Sequence, residues 1–303
     1  MRIVLFAYGS LGSAVFRALE NFDRERLSGP FRIVGVYTHL DAEGERLWFD
    51  SVAERARSLG VPVEMVEPYQ RYRPPTQRIP YAELIISAGF RSPIAAMIFR
   101  KTSLGAYNLH PSLLPRYRGR SPLNWAILNG ESEVGLTLHH MVEEVDAGPI
   151  VAQRALPIGA DEPVSSVVAR VDREIEPLLR EAWPLLVEGR APAVDQDHSR
   201  AHYFGGRSPE DGRLDFAWPA RRLHNLVRAV SEPFPGAFFE REGRRITVWE
   251  ARVVDEVSPG PGLGVSRASE RFLIGTSDGL LEVLRWSLDD GPARPGGALE
   301  ALW

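Results

Sequence analysis

"RIVLFAYGSLGSAVFRALENF" spans Arg2 to Phe22. Its opening run, Arg2–Tyr8, is rich in β-branched and aromatic residues and reads as a short strand. "GSLG" follows, and then Val15, Phe16 and Leu19 recur at helical spacing. A strand that hands over to an amphipathic helix is the repeating unit of an α/β domain. The pattern returns downstream. Phe31–Leu40 reads as a second strand and Leu47–Leu59 as a helix stopped by Gly60. "VPVEMV", Ala82–Phe90 and Gly105–His110 read as three more strands. This alternation predicts a largely parallel sheet covered on both faces.

Farther on, "VGLTLHHMV" and "PIVAQRALPI" read as two strands around an acidic loop. Val164, Val167, Val168, Val171, Ile175, Leu178 and Leu179 then mark an amphipathic helix, in which Pro177 and Pro184 predict a kink or a restart. After Gly189 the chain turns polar, and residues 191–203 read as a linker between a domain at 1–190 and another at 204–303. The second domain opens with a helical stretch, Arg221–Val230. It continues as short β-runs ("AFFERE", "RRITVWEARV", "RFLIGTS", "GLLEVLRW") between Gly, Pro and Asp turns, a spacing that predicts a small β-barrel.

The 303 residues are 44% hydrophobic and 25% charged, as expected of a globular protein with a sizeable core. The net charge of −4 argues against a general polyanion binder. Basic charge is almost wholly arginine, with Lys101 the single lysine. The absence of cysteine excludes disulfides, thiolate chemistry and every Cys-based zinc pattern, and it fits a cytoplasmic location. Neither a signal peptide nor a membrane span is expected.

The chemistry concentrates in "YNLHPSLLPRYRGRSPLNW", Tyr107–Trp125. Asn108 and His110 lie two apart on one predicted strand, so they share a face at its carboxyl end. Ligands of open α/β sheets bind there. An amide and an imidazole so placed suit oxyanion stabilisation and proton transfer; equally, they suit a turn cap before Pro111. Asp146, in the acidic loop, reads first as a turn residue, or else as a carboxylate that orients the imidazole. "GSLG" lacks the dinucleotide spacing and reads as a turn into the helix. His139 and His140 are adjacent in a strand and point to opposite faces, so no shared metal is expected. Asp289 and Asp290 read as a solvated turn. Arg116, Arg118 and Arg120 lie in a loop stiffened by Pro111, Pro115 and Pro122, and arginines of this kind suit phosphate.

"NLHPSLLPRYRG", with "DAGPIVAQ" downstream and "AGF" at Ala88–Phe90, resembles the folate-dependent formyltransferases, including the glycinamide ribonucleotide transformylase branch. "YTHLDAEGE", "GRSPEDGRLDF" and "LHNLVRAVSEPFPGAF" extend the likeness to about residue 252. They bring it nearest to the domain that formylates UDP-4-amino-4-deoxy-L-arabinose. Two features depart from that branch: a decarboxylating domain follows its transferase, and its aromatic pair at the "AGF" position is missing here. The resemblance implies a Rossmann-like catalytic domain followed by an OB-like domain. It also implies N10-formyltetrahydrofolate as donor, with no metal, and Asn108, His110 and Asp146 as catalytic residues. Ala88, Gly89, Phe90, Arg91, Ile94, Val142 and Asp146 would hold the folate. A nucleotide-linked amino sugar is the implied acceptor, met by Arg120, Arg118 and Tyr117. The alternatives are methionyl-tRNA formyltransferase, a transferase for another small amine, and a non-catalytic folate or nucleotide module. Residues 201–303 carry 13 arginines against 15 acidic residues, a net of −2, which weighs against tRNA. A homodimer is a further possibility.

Overall fold

The computed structural model describes residues 1–40, 48–68, 79–256, 258, 260–266, 271–289 and 291–297. Two compact units make up the chain. The first comprises residues 1–119, 135–156 and 169–203; the second comprises 120–134, 157–168 and 204–303.

The first unit is built on a seven-stranded sheet of order β3-β2-β1-β4-β5-β7-β8. Its strands are β1 (Arg2–Ala7), β2 (Arg32–His39), β3 (Val63–Val66), β4 (Leu84–Ala88), β5 (Ala106–His110), β7 (Glu133–His140) and β8 (Ile150–Pro157). β1 to β5 run parallel, and β7 turns antiparallel against β5. The chain order reverses between β1 and β4, the switch point where such sheets open a crevice at their carboxyl ends. Ile3 to Ala7 and Leu84 to Ala88 are buried throughout, as strands covered on both faces require.

Helix α1 (Gly9–Glu25) begins inside "GSLG", so that segment is the helix's first turn and not a turn leading to it. α2 is shorter than the sequence suggests, Val52–Ser58, with Ser51 accepting from Glu54 N–H as its cap. Leu47, like the "DAEGE" stretch, lies outside the described residues. Short helices at Ala96–Phe99 (α3) and Pro122–Leu128 (α4) carried no periodic signal. α5 (Val164–Val187) runs through both Pro177 and Pro184 without restarting. Each proline forfeits one intrahelical bond, and the buried row Val171, Ile175, Leu178, Leu179, Trp183 and Leu186 outweighs that loss. Trp183 anchors the row, its ring 5.5 Å from Phe22 and 5.1 Å from Phe31.

In the second unit, α6 (Ala220–Val230) buries Leu223, Leu226 and Val227. An antiparallel sheet follows, of order β10-β11-β14-β13-β12: β10 (Ala237–Arg241), β11 (Arg244–Val254), β12 (Gly262–Ser266), β13 (Arg271–Gly275) and β14 (Leu280–Leu288). β15 (Arg294–Pro295) pairs with β14. Phe272 and Trp286 meet edge to face in its core at 5.9 Å. Asp289 does more than turn the chain: its carboxylate accepts from the Arg244 side chain and the Arg245 N–H. Asp290 lies outside the described residues. Two-residue strands β6 (Arg118–Gly119) and β9 (Tyr203–Phe204) complete the set. No helix among the described residues is long and apolar enough to cross a membrane.

Candidate active site

β5 decides where the polar groups stand. Tyr107 and Leu109 take its apolar face, so Asn108 and His110 share the other at the carboxyl end of the sheet. Antiparallel pairing sets His139 directly opposite Asn108, and Thr137 opposite His110. The loop after His110 is pinned to the same strands. Leu114 is buried, and Gln153 donates to its carbonyl at 3.0 Å and to Thr137 Oγ1 at 2.8 Å. Thr137 Oγ1 itself donates to the Ser112 carbonyl at 2.6 Å. The loop then brings the Tyr117 carbonyl to His110 Nε2, 2.8 Å away, and this nitrogen donates to it.

Asp146 meets this cluster from the loop between β7 and β8. The residue is 7% exposed, and its backbone is left-handed, at φ +56°. Aspartate tolerates that region better than most residues, but only with support. Oδ2 accepts from the Gly119 N–H at 2.8 Å and lies 3.6 Å from His110 Nδ1. Oδ1 accepts from Asn108 Nδ2 at 3.3 Å and lies 3.5 Å from His139 Nε2. Burial pushes this carboxyl up. The His110 charge, the adjacent His139 ring and the Gly119 N–H outweigh that effect and hold it down at about 2. The group is therefore an ionised, desolvated carboxylate at neutral pH.

Asn108 and His110 are thus brought together with Asp146, and the structure adds a member. His139 donates from Nδ1 to the His140 carbonyl, and its Nε2 lies 3.1 Å from Asn108 Nδ2. Alternation did separate His139 from His140, whose ring turns away to the Pro192 carbonyl. Only the β5–β7 register brings His139 to Asn108. Gly148 is a second residue that spacing did not reveal. A Cβ there would lie 1.9 Å from the His140 carbonyl oxygen, so the loop closes onto β7 only with glycine.

The segments expected to hold folate lie at the same end of the sheet. Gly89 is left-handed, at φ +66°. Phe90 stacks on His39 at 4.3 Å, and Ile94, Phe90 and Met141 share one apolar cluster. His39 fixes the segment's backbone: its Nδ1 donates to the Val66 carbonyl at 2.7 Å, and its Nε2 accepts the Arg91 N–H at 2.8 Å. Burial, and then the nearby Arg91 charge, lower this imidazole against the opposing Val66 bond, which suits the neutral ring this geometry needs. The Arg91 guanidinium lies over the Tyr8 ring, 4.3 Å from its centroid. Val142 is exposed on the loop that leads to Asp146.

The expected acceptor residues separate. Arg118 is 1% exposed, and its guanidinium donates to Gln196, Tyr203 and His198. A guanidinium committed in this way is a structural tie, which corrects its reading as a substrate contact. Tyr117 is buried at φ +58° and offers its carbonyl to His110, so its ring does not stand out toward an acceptor. Arg120 is exposed in the second unit, its N–H bonded to the Phe204 carbonyl at 3.0 Å. In that unit Trp125 donates to the Gly205 carbonyl at 2.9 Å, and the Arg207 guanidinium lies 4.7 Å over its ring.

Residues 54–182 match the formyl transferase family, and residues 207–297 match the formyl transferase C-terminal domain. Among solved structures, the chain is similar to WlaRD, a sugar 3N-formyl transferase crystallised with dTDP and 5-N-formyl-THF. The TM-score is 0.70 at 17% identity, over 96% of this chain and 99% of that one. HypX from Aquifex aeolicus in complex with tetrahydrofolic acid gives 0.62 at 22% identity over 99% of this chain. The chain spans about half of HypX, 47%. Methionyl-tRNA formyltransferase from Clostridium thermocellum gives 0.55 at 18% identity, over 84% and 94% of the two chains. At these identities the structures share the fold, while the two family matches take in most of the sequence. The chain belongs to the formyl transferase family.

Proposed function

We propose that the protein moves a formyl group from N10-formyltetrahydrofolate to the amine of a nucleotide-linked amino sugar. The carrying observation is the buried Asp146 carboxylate, held beside Asn108 and His110 at the carboxyl end of the sheet. WlaRD, solved with dTDP and a formyl folate, and HypX, solved with tetrahydrofolate, lend the donor and acceptor classes. The folate segments fit a pterin. Phe90, Ile94 and Met141 give an apolar wall, and backbone groups of the Val142–Asp146 loop would supply the polar contacts a pterin needs.

The neutral acceptor amine attacks the formyl carbon, and negative charge grows on the formyl oxygen. His110 and Asn108 would meet that charge; losing one such donor typically costs on the order of 100-fold in rate. Asp146 would keep His110 in place and relay the proton that leaves the attacking nitrogen. The carbon–N10 bond then breaks, and N10 takes up a proton. Arg120 is the residue the resemblance proposes for the acceptor phosphate.

A turnover assay with N10-formyltetrahydrofolate and a panel of UDP- and dTDP-linked amino sugars, with methionyl-tRNA alongside, tests this reading. Formylation of a sugar and not of methionyl-tRNA is expected. Transfer to methionyl-tRNA alone, or folate binding without any turnover, would overturn it.

A further inference from the structure

We propose that Gln196 is a positioning residue for Asp146. In this view residues 194–203, whose polar composition reads as a linker, form a strap that holds the carboxylate against Gly119 and His110. The inference rests on assigning Asp146 to the reaction.

The orientation of the Gln196 amide is unambiguous. A guanidinium has no acceptor, so the end that meets Arg118 Nε at 3.2 Å and Nη2 at 2.7 Å must be Oε1. Nε2 therefore points the other way, and its two hydrogens go to the Asp146 carbonyl at 2.9 Å and the Gly148 carbonyl at 2.7 Å. One side chain thus bridges the carbonyls of the two residues that flank Ala147. It fixes the backbone at the residue whose φ is +56°. All four bonding positions of the amide are filled, at 5% exposure.

The strap is itself anchored. Ile150 and Val194 exchange backbone bonds of 2.7 and 3.0 Å at its start. Arg118 is held from its other side by the Tyr203 hydroxyl at 3.2 Å and His198 Nδ1 at 3.1 Å. The Tyr203 hydroxyl also lies 2.7 Å from Glu144 Oε1 and 2.9 Å from the Val145 carbonyl. Both sides of Asp146 are therefore tied to one segment: Val145 through Tyr203, Asp146 and Gly148 through Gln196. Neighbouring Arg118 also lends its N–H to the His202 carbonyl at 3.0 Å, which sets Gly119, the carboxylate's own donor, in place.

The test compares Gln196→Glu with Gln196→Leu in the full chain. Glutamate still pairs with Arg118 but has no hydrogens for the two carbonyls. Leucine removes both ties and takes from buried Arg118 its Gln196 acceptor, so it can unfold the protein; the glutamate variant is then decisive. The first readout is the titration of the Asp146 carboxyl carbon by 13C NMR, assigned by its loss in Asp146→Asn. The second is kcat against the KM for folate. In Gln196→Glu the Asp146 midpoint is expected to rise toward the ordinary carboxylate range. kcat should fall about 10- to 100-fold, with the folate KM changed less than about threefold. A folded Gln196→Glu protein with an unmoved Asp146 titration and unchanged kcat would overturn the inference. If the titration moves but the wild-type protein never transfers formyl, the strap stands and the reaction assignment falls.

Discussion

Substituting Gly148 by alanine turns one contact into a test of the loop that carries Asp146. The added Cβ would sit 1.9 Å from the His140 carbonyl oxygen and 2.9 Å from its carbon, whereas ordinary contact begins near 3.4 Å. The backbone must therefore yield by about 1.5 Å, because both partners are main chain and cannot rotate away. Asp146 is two residues upstream, and its bond from the Gly119 N–H spans 2.8 Å. A shift of that size takes this contact past hydrogen-bonding reach. Misplacing a catalytic group by about 1 Å costs on the order of 100-fold in rate, and forcing extra volume into a packed site costs about 1–3 kcal/mol of stability. Discontinuous formyl-transfer assays on Gly148→Ala, paired with urea unfolding, would read both. Gly279→Ala is the control, since its Cβ would meet Ala220 Cβ at 3.7 Å and the Val254 carbonyl at 4.0 Å. Wild-type kcat in Gly148→Ala would refute the reasoning that this close approach places the carboxylate.

Two further predictions concern protons. Asp172 is pushed up to about 6 by burial, against the opposing Ser10 bond at 3.4 Å and the Arg17 charge. Its folded-state value exceeds the unfolded one, so the folded protein gains stability as pH falls from about 6 toward 4. Asp172→Asn should therefore add on the order of 2–3 kcal/mol at pH 7.5 and almost nothing near pH 4; equal gains at both pH values would contradict it. His39 must accept the Arg91 N–H at Nε2, and burial lowers its imidazole. A proton on that nitrogen opposes the Arg91 hydrogen, so tetrahydrofolate affinity should weaken as pH falls below the ordinary histidine range. Titration calorimetry across pH checks this, with His39→Gln expected to flatten the profile.

Much of the first unit was legible because its strands are buried on both faces. Such strands read as unbroken apolar runs, as Ile3 to Ala7 and Leu84 to Ala88 do. Asn108 and His110 could be placed on one face from alternation alone. Their meeting with His139 could not, because it depends on a cross-strand register that no local pattern encodes. The prolines of α5 predict a kink or a restart, and the helix does not restart, because a long buried row outweighs local propensity. Residues 191–203 look like a linker because the groups that tie them down are polar. Gln196 buries its amide against Arg118 and two carbonyls, and such a role leaves no hydrophobic signature. Arg118 misled in the opposite sense, since a basic loop residue reads as a phosphate contact until its burial is seen.

The central claim is that Asp146 serves formyl transfer through its charge. Asp146→Asn isolates that charge: asparagine tolerates the left-handed backbone and still offers an oxygen to the Gly119 N–H. Single-turnover transfer from N10-formyltetrahydrofolate to an amino-sugar nucleotide should slow by about 100-fold or more, with folate binding preserved. A folded variant whose single-turnover rate stays within about threefold of wild type would contradict the account, because general acid–base contributions are typically far larger.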